Sequence, residues 1–207
     1  MVELRTFVFM DSLQLQLASF LATVSRGYLP VAGQAALYVE IAPGIDINRL
    51  TDVALKTTGV RPGIQIVERQ FGVLEIHSDD KGEVKAAGDA ILDKIELKEN
   101  DRLKPKVLTS QLIKNIDDYQ AQLINRIRHG NMVLRGDTLF FMETDPAGYA
   151  FYIANEAEKS CRLNIIEVVG HGRFGRLYIA GEEADMIIAQ EAAQKAVDAI
   201  TGRNVED

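Results

Sequence analysis

A Phe-Gly step at Phe71-Gly72 recurs at Phe174-Gly175, 103 residues later, and the same spacing carries much of the chain. Gly27 repeats as Gly130, Gly33 as Gly136, Glu40 as Glu143, Pro43 as Pro146, Lys56 as Lys159, Leu74 as Leu177 and Ile76 as Ile179, with no gap needed. A single offset of this kind marks a tandem duplication. It predicts two domains, residues 1–103 and 104–207, in a chain of 207 residues. Each half is near the size at which one core is only just sufficient, so support from its twin or from oligomerisation is expected.

The order of elements is read in each half. Strands are expected at 4–10, 36–42, 64–69 and 72–77, with helices from Ser12 as a cap to about Val24, from Ile47 to Thr58, and from Glu83 to Ile95. In the second half the pattern gives strands at 106–109, 138–144, 164–169 and 174–180, and helices at 111–128, 147–161 and 182–200, with a polar tail after them. The 64–77 and 164–180 pairs read as antiparallel hairpins. That favours an α+β fold of two tandem ferredoxin-like domains, each an antiparallel or mixed sheet with helices, over a doubly wound one.

A net charge of −7 argues against a general nucleic-acid partner and against docking on anionic membrane. No apolar run approaches the ~18 residues of a membrane span, and the N-terminus reads as a strand, so a cytoplasmic protein is expected. The single cysteine, Cys161, permits no internal disulfide and reads as a small buried thiol in a helix.

Few residues offer chemistry. Gly170-His171-Gly172-Arg173-Phe174-Gly175 matches G-x-G-x-x-G, but a dinucleotide site needs a helix to begin there, and RLYIAG follows as a strand. The glycines read instead as a hairpin tip. The three histidines, His77, His129 and His171, share no repeat position with each other and no metal-ligand spacing, so no metal or cofactor is expected. His129, beside Arg126 and Arg128, reads as a solvated basic turn. No nucleophile sits in a recognisable elbow, so no catalytic residue is assigned. Asp79-Asp80 and Asp117-Asp118 read as turn and helix-start carboxylates. Glu68-Arg69, at the tip of the first hairpin, reads equally as a surface ion pair or as the lining of a site.

Beyond these readings the chain carries a family pattern. Residues 139–193 contain the Met142-Glu143-Thr144 strand end, a small-residue helix bearing Lys159, a glycine-rich tip, and a return strand ending in Gly181 before a helix. Together they resemble the bacterial microcompartment shell domain. Residues 37–90 repeat this more loosely, most clearly at Asp52-Val53-Ala54-Leu55-Lys56. A strand and a helix precede the pattern in each half, so the domains look circularly permuted. ELRTFVFMDSLQ, GYLPVAG, APGIDINRLTD, IVERQFG, DRLKPKV and FGRLYIAGEE are similar to the tandem-domain trimeric shell proteins of the CcmP type, over essentially the whole chain.

The resemblance implies a wall tile and no enzyme: a homotrimer whose six domains mimic a hexamer, with a large gated central pore, and trimers that can stack in pairs. It places the gate on Glu68 and Arg69, with Gln70 beside them. Their repeat partners His171, Gly172 and Arg173 are added to the pore wall. Arg69 would attract small anionic metabolites such as sugar phosphates. Lys56 and Lys159 would lie at the tile edge and contact other shell proteins. A carboxysome is the expected compartment. Two other classes remain open on sequence: a small-molecule-binding regulator built from duplicated ferredoxin-like domains, and an enzyme using Glu68 or Glu143 as base beside Arg69.

Overall fold

The computed structural model describes residues 2–204; the expected polar tail beyond Asn204 lies outside them. The first half runs β1 (Glu3–Met10), α1 (Leu15–Val24), β2 (Ala35–Ala42), α2 (Ile47–Thr57), β3 (Arg61–Glu68), β4 (Phe71–Ser78) and α3 (Lys81–Ile95). The second repeats it as β5 (Lys106–Ile113), α4 (Asp118–Asn125), β6 (Thr138–Asp145), α5 (Tyr149–Ser160), β7 (Asn164–Val169), β8 (Gly175–Gly181) and α6 (Glu183–Asp198). The strands form two four-stranded sheets, ordered β1-β2-β4-β3 and β5-β6-β8-β7. Every neighbouring pair within the two sheets is antiparallel, so the fold is α+β.

Three expectations need correcting. The strand expected at 106–109 continues to Ile113, and the helix expected from 111 occupies only Asp118–Asn125. Gln111 and Ile113 pair across the ladder with Phe141 and Leu139, and the cross-strand bonds outweigh the helical tendency of the Leu/Gln run. Ser12 does not cap α1. Asn155 accepts the Gln14 N–H at 2.9 Å, and the Glu158 carboxylate accepts those of Gln16 and Leu17 at 2.7 and 2.9 Å. The helix start is thus satisfied from the other half of the molecule. Cys161 lies just beyond α5, half-buried, with its Sγ 3.1 Å from the Asp185 carbonyl.

The repeated glycines have two separate reasons. Gly33 and Gly136 both sit at positive φ, +89° and +87°, where a side chain is strained. Gly72 lies against the Gly44 backbone and Gly175 against that of Ala147, with no room for a Cβ at either. Those approaches fix the roots of the two hairpin tips.

The first sheet is covered on one face by α2 and α3, whose Leu50, Ala54, Val84 and Ile91 pack on Leu37, Val39, Leu74 and Ile76. Its other face, with Val8, Met10, Tyr38 and Val73, does not end in a surface. Through Leu17, Phe20 and Leu21 of α1 it continues into Phe151, Ala154 and Ala157 of α5, and so into the core of the second half. One apolar core therefore spans both halves. The second sheet has no such continuation. Its corresponding face is covered by a small cluster around Ile116, Ala121, Val133 and Leu139, and α4 above it exposes Tyr119 and Leu123, with Ile127 exposed just beyond its end.

Candidate functional site

The two hairpin tips meet. Glu68 closes β3 and Phe71 opens β4, opposite one another in the ladder, so Arg69 and Gln70 form a two-residue turn. Arg69 adopts φ +52°. The Gln70 carbonyl accepts the Gly44 N–H at 2.7 Å, which ties the turn to the segment leading into α2. The second tip is longer, running from Gly170 to Phe174, with Gly172 at φ +86°. Glu68 Oε2 stands 3.6 Å from His171 Nε2, and the same carboxylate lies over Gly172, leaving only van der Waals space for a Cβ. Arg173 lies 4.0 Å from Asp145 and over the Phe174 ring. A cavity of about 370 Å³ opens beside the tips, lined in part by Glu68, Glu143, His171, Arg173 and Arg176. Glu68, Arg69, Gln70, His171, Gly172 and Arg173 thus occupy two adjoining tips, with Arg69, Gln70 and Arg173 exposed.

A buried polar cluster behind the tips holds them in register. Arg5 Nε donates to Glu40 at 3.0 Å and its Nη2 to Asp145 at 3.0 Å, bridging the halves. Glu40 also accepts from the Thr6 hydroxyl at 3.1 Å and from the Gly148 N–H at 2.8 Å. The Arg5 guanidinium lies 3.9 Å above the Phe71 ring, so the same group touches the root of the first tip. Burial pushes the Glu40 carboxyl above its ordinary value, against the pull of Arg5. The Tyr38 hydroxyl donates to the Gly170 carbonyl at 2.7 Å, and its ring packs on Phe151; burial holds that phenol well above its usual range. Sequence reasoning noticed Glu40 only as a repeat of Glu143, and it singled out neither Arg5 nor Asp145.

Other expected positions fall apart from the tips. His129 is no free turn residue: Glu167 accepts its backbone N–H at 2.7 Å and faces its Nδ1 at 2.9 Å. His77 is buried beside Glu75 at 3.0 Å. Asp80 and Asp117 are helix caps, accepting from Gly82 and Tyr119. Lys56 is exposed on α2 and paired to Asp52, one turn back, at 2.8 Å. Lys159 is exposed too, but held between Glu156 at 2.8 Å and Asp11 at 3.2 Å. Burial alone would lower its ammonium pKa, but these two carboxylates outweigh it and raise it.

Residues 4–101 match the family model described as the CsoS1D N-terminal domain. The chain is 51% identical to the carboxysome shell protein CcmP of Synechococcus elongatus, over 98% of this chain and 95% of that one. It is 47% identical to the carboxysome shell protein CsoS1D of Hydrogenovibrio crunogenus, over 99% and 100%. Among solved structures it is similar to the fused permuted hexameric shell protein MSM0275 of the RMM microcompartment, with a TM-score of 0.94 and 46% identity over 97% of this chain and 98% of that one. It is also similar to the double ringed trimeric shell protein MSM0271 of the same microcompartment, with a TM-score of 0.96 and 40% identity over 99% and 100%.

Proposed function

Since this chain belongs to the tandem-domain, circularly permuted shell proteins of bacterial microcompartments, the family of CcmP and CsoS1D, we propose that it is a gated wall tile of a carboxysome. Three copies close into a pseudohexamer. Each contributes two shell domains, residues 1–103 and 104–207, and the two tips of each copy line one central pore. Glu68 and Arg69 are the moving parts of the gate, with Gln70, His171, Gly172 and Arg173 completing the wall. Each copy brings two guanidinium groups to the rim, Arg69 and Arg173, against the one carboxylate of Glu68. A rim with excess positive charge favours anions, so small anionic metabolites are the permeants. The work is structural and not catalytic.

The observation that carries this reading is the unequal cover of α1 and α4. Within the chain, α1 packs on α5 and Phe20 is 2% exposed. Its repeat equivalent on α4, Leu123, is 63% exposed, and Tyr119 beside it 79%. Apolar groups in that arrangement mark a protein surface awaiting a partner. The partner with the matching shape is the repeat equivalent of α5, namely α2 of another copy, whose Leu55 and neighbouring Ile45 are also exposed. Repeating the internal seam between copies generates a ring, and six halves from three chains close it.

Trimers stack in pairs, which encloses a chamber with a gate at each end. Lys56 and Lys159 sit at the tile edge, Lys56 as the more available of the two, for contact with other shell proteins. Among the described residues no helix is long and apolar enough to cross a membrane; the tile works inside a protein shell in the cytoplasm. Native mass spectrometry with electron microscopy of concentrated protein tests the reading. Trimers or paired trimers with a central hole are expected. A species that stays monomeric or dimeric and never shows a hole overturns it.

A further inference from the structure

The Glu68–His171 contact has an unusual symmetry. Its two members are equivalents under the 103-residue repeat, whereas the other contacts described between the halves, such as Arg5–Asp145 and Tyr38–Gly170, join positions that are not. In a ring of successive halves, equivalent points can touch only close to the rotation axis. For a sixfold arrangement the separation of neighbouring equivalent points equals their distance from the axis. Side chains of equivalent residues that come within 3.6 Å therefore place the two tips near the centre, where they shut the pore.

The same symmetry makes the contact reproduce itself. Moving the internal seam on by one half turns Glu68–His171 of one chain into His171 of that chain against Glu68 of the next. We propose that in the closed trimer the rim is a ring of six side chains in which three Glu68 and three His171 alternate, and that protonation of His171 latches it. This rests on the trimeric reading above and extends it to the chemistry that holds the gate shut.

The hydrogen-bonding capacity of imidazole supplies the latch. A neutral imidazole has one N–H and can donate to only one of the two carboxylates flanking it. An imidazolium donates from both nitrogens and can bridge the Glu68 of its own chain to the Glu68 of the next. With all three protonated, every neighbour around the axis is of opposite charge. With all three neutral, no member of the inner ring carries a charge opposite to the three carboxylates crowding the axis; they repel and turn to the guanidinium groups of the rim instead. Arg69 competes for Glu68 from the same turn. Arg173 and Arg176 face His171 from its own hairpin, and Glu143 from β6 shares the cavity beside it. Asp145 is engaged by Arg5 at 3.0 Å and by Arg173 at 4.0 Å, so it is occupied elsewhere. The alternation cannot arise in a ring of six identical domains, where like must face like.

The test is cryo-electron microscopy of wild-type, His171→Gln and His171→Lys trimers at about pH 5.5 and about pH 8.5, either side of the range in which imidazoles change charge. In wild type the closed-to-open ratio is expected to fall by at least about tenfold from the lower to the higher pH. His171→Gln should lose that dependence, and His171→Lys should stay closed at both values. In closed particles each Glu68 should lie between two His171 residues from different chains. A wild-type pore that ignores pH, a His171→Gln pore that keeps the wild-type response, or a closed rim in which Glu68 meets no second His171, overturns the latch while leaving the trimeric tile intact. Particles with no threefold ring would instead overturn the function proposed above, and the latch with it.

Discussion

Arg69 and Gly172 occupy the same place in two hairpin tips, both at positive φ, yet only one of them is glycine. A side chain in that region costs on the order of 1 kcal/mol, and Arg69 is held there by a turn anchored through Gln70 to Gly44. From its residues alone this position reads equally as a surface ion pair or as the lining of a site; only the family resemblance singles it out. Arg5 is the opposite case. It lies in an apolar strand, and its buried partners Glu40 and Asp145 are 35 and 140 residues away, so nothing local announces the cluster. Replacing it as Arg5→Met would leave Glu40 buried without a cation and Asp145 with only the longer 4.0 Å contact to Arg173, and should cost about 3–5 kcal/mol of stability. The loss should depend on pH. The folded state already holds the Glu40 proton more tightly than the unfolded chain does, so its contribution to stability is greatest below the unfolded value and falls as pH rises through the folded one. Removing Arg5 strengthens that bias. Thermal melts of the variant should approach wild type as pH is lowered toward the usual carboxylate range and diverge as it is raised; a pH-independent deficit would count against this account.

At the scale of elements, the permuted pair β1–α1 and β5–α4 is where sequence reading was weakest. Most strands, the hairpins and the long helices were legible from alternation, glycines and proline breaks. The start of the second half was misread because Leu112 and its neighbours fit a helical period as well as a strand. The duplication itself held the answer: moving β1 on by 103 residues ends the strand at Ile113, where the structure ends it. What no pattern could show is that α1 is buried while α4 is bare, since both carry similar apolar residues. That difference predicts a clean separation of effects. Leu123→Asp, at an exposed site, should change monomer stability by less than about 1 kcal/mol yet abolish trimers in sedimentation. Phe20→Asp places a carboxylate in the shared core and should prevent folding, seen as loss of the cooperative melt. Trimers that survive Leu123→Asp would show that α4 faces something other than a second copy.

For the whole molecule, the two-domain architecture was readable because glycines and hairpins repeat in one register, and the family because motifs such as Met142-Glu143-Thr144 and the glycine-rich tip resemble the shell domain. The edge lysines were readable only as a pair, and the structure separates them. Lys56 is exposed beside Asp52, whereas Lys159 is drawn between Asp11 and Glu156. Lys56→Asp alone is therefore expected to stop trimers from tiling into sheets under the electron microscope, with ring assembly unchanged; sheets indistinguishable from wild type would remove Lys56 from the tile edge.

The core that crosses from the first sheet through α1 into α5 also fixes an order of events. Two halves on one chain meet at an effective concentration set by their tether, of order millimolar for short linkers, whatever the amount of protein present. The contact between chains enjoys no such advantage and responds to dilution. In the proposed ring every second seam is therefore held by the chain itself and the seams between respond to dilution, so domains join and leave it two at a time.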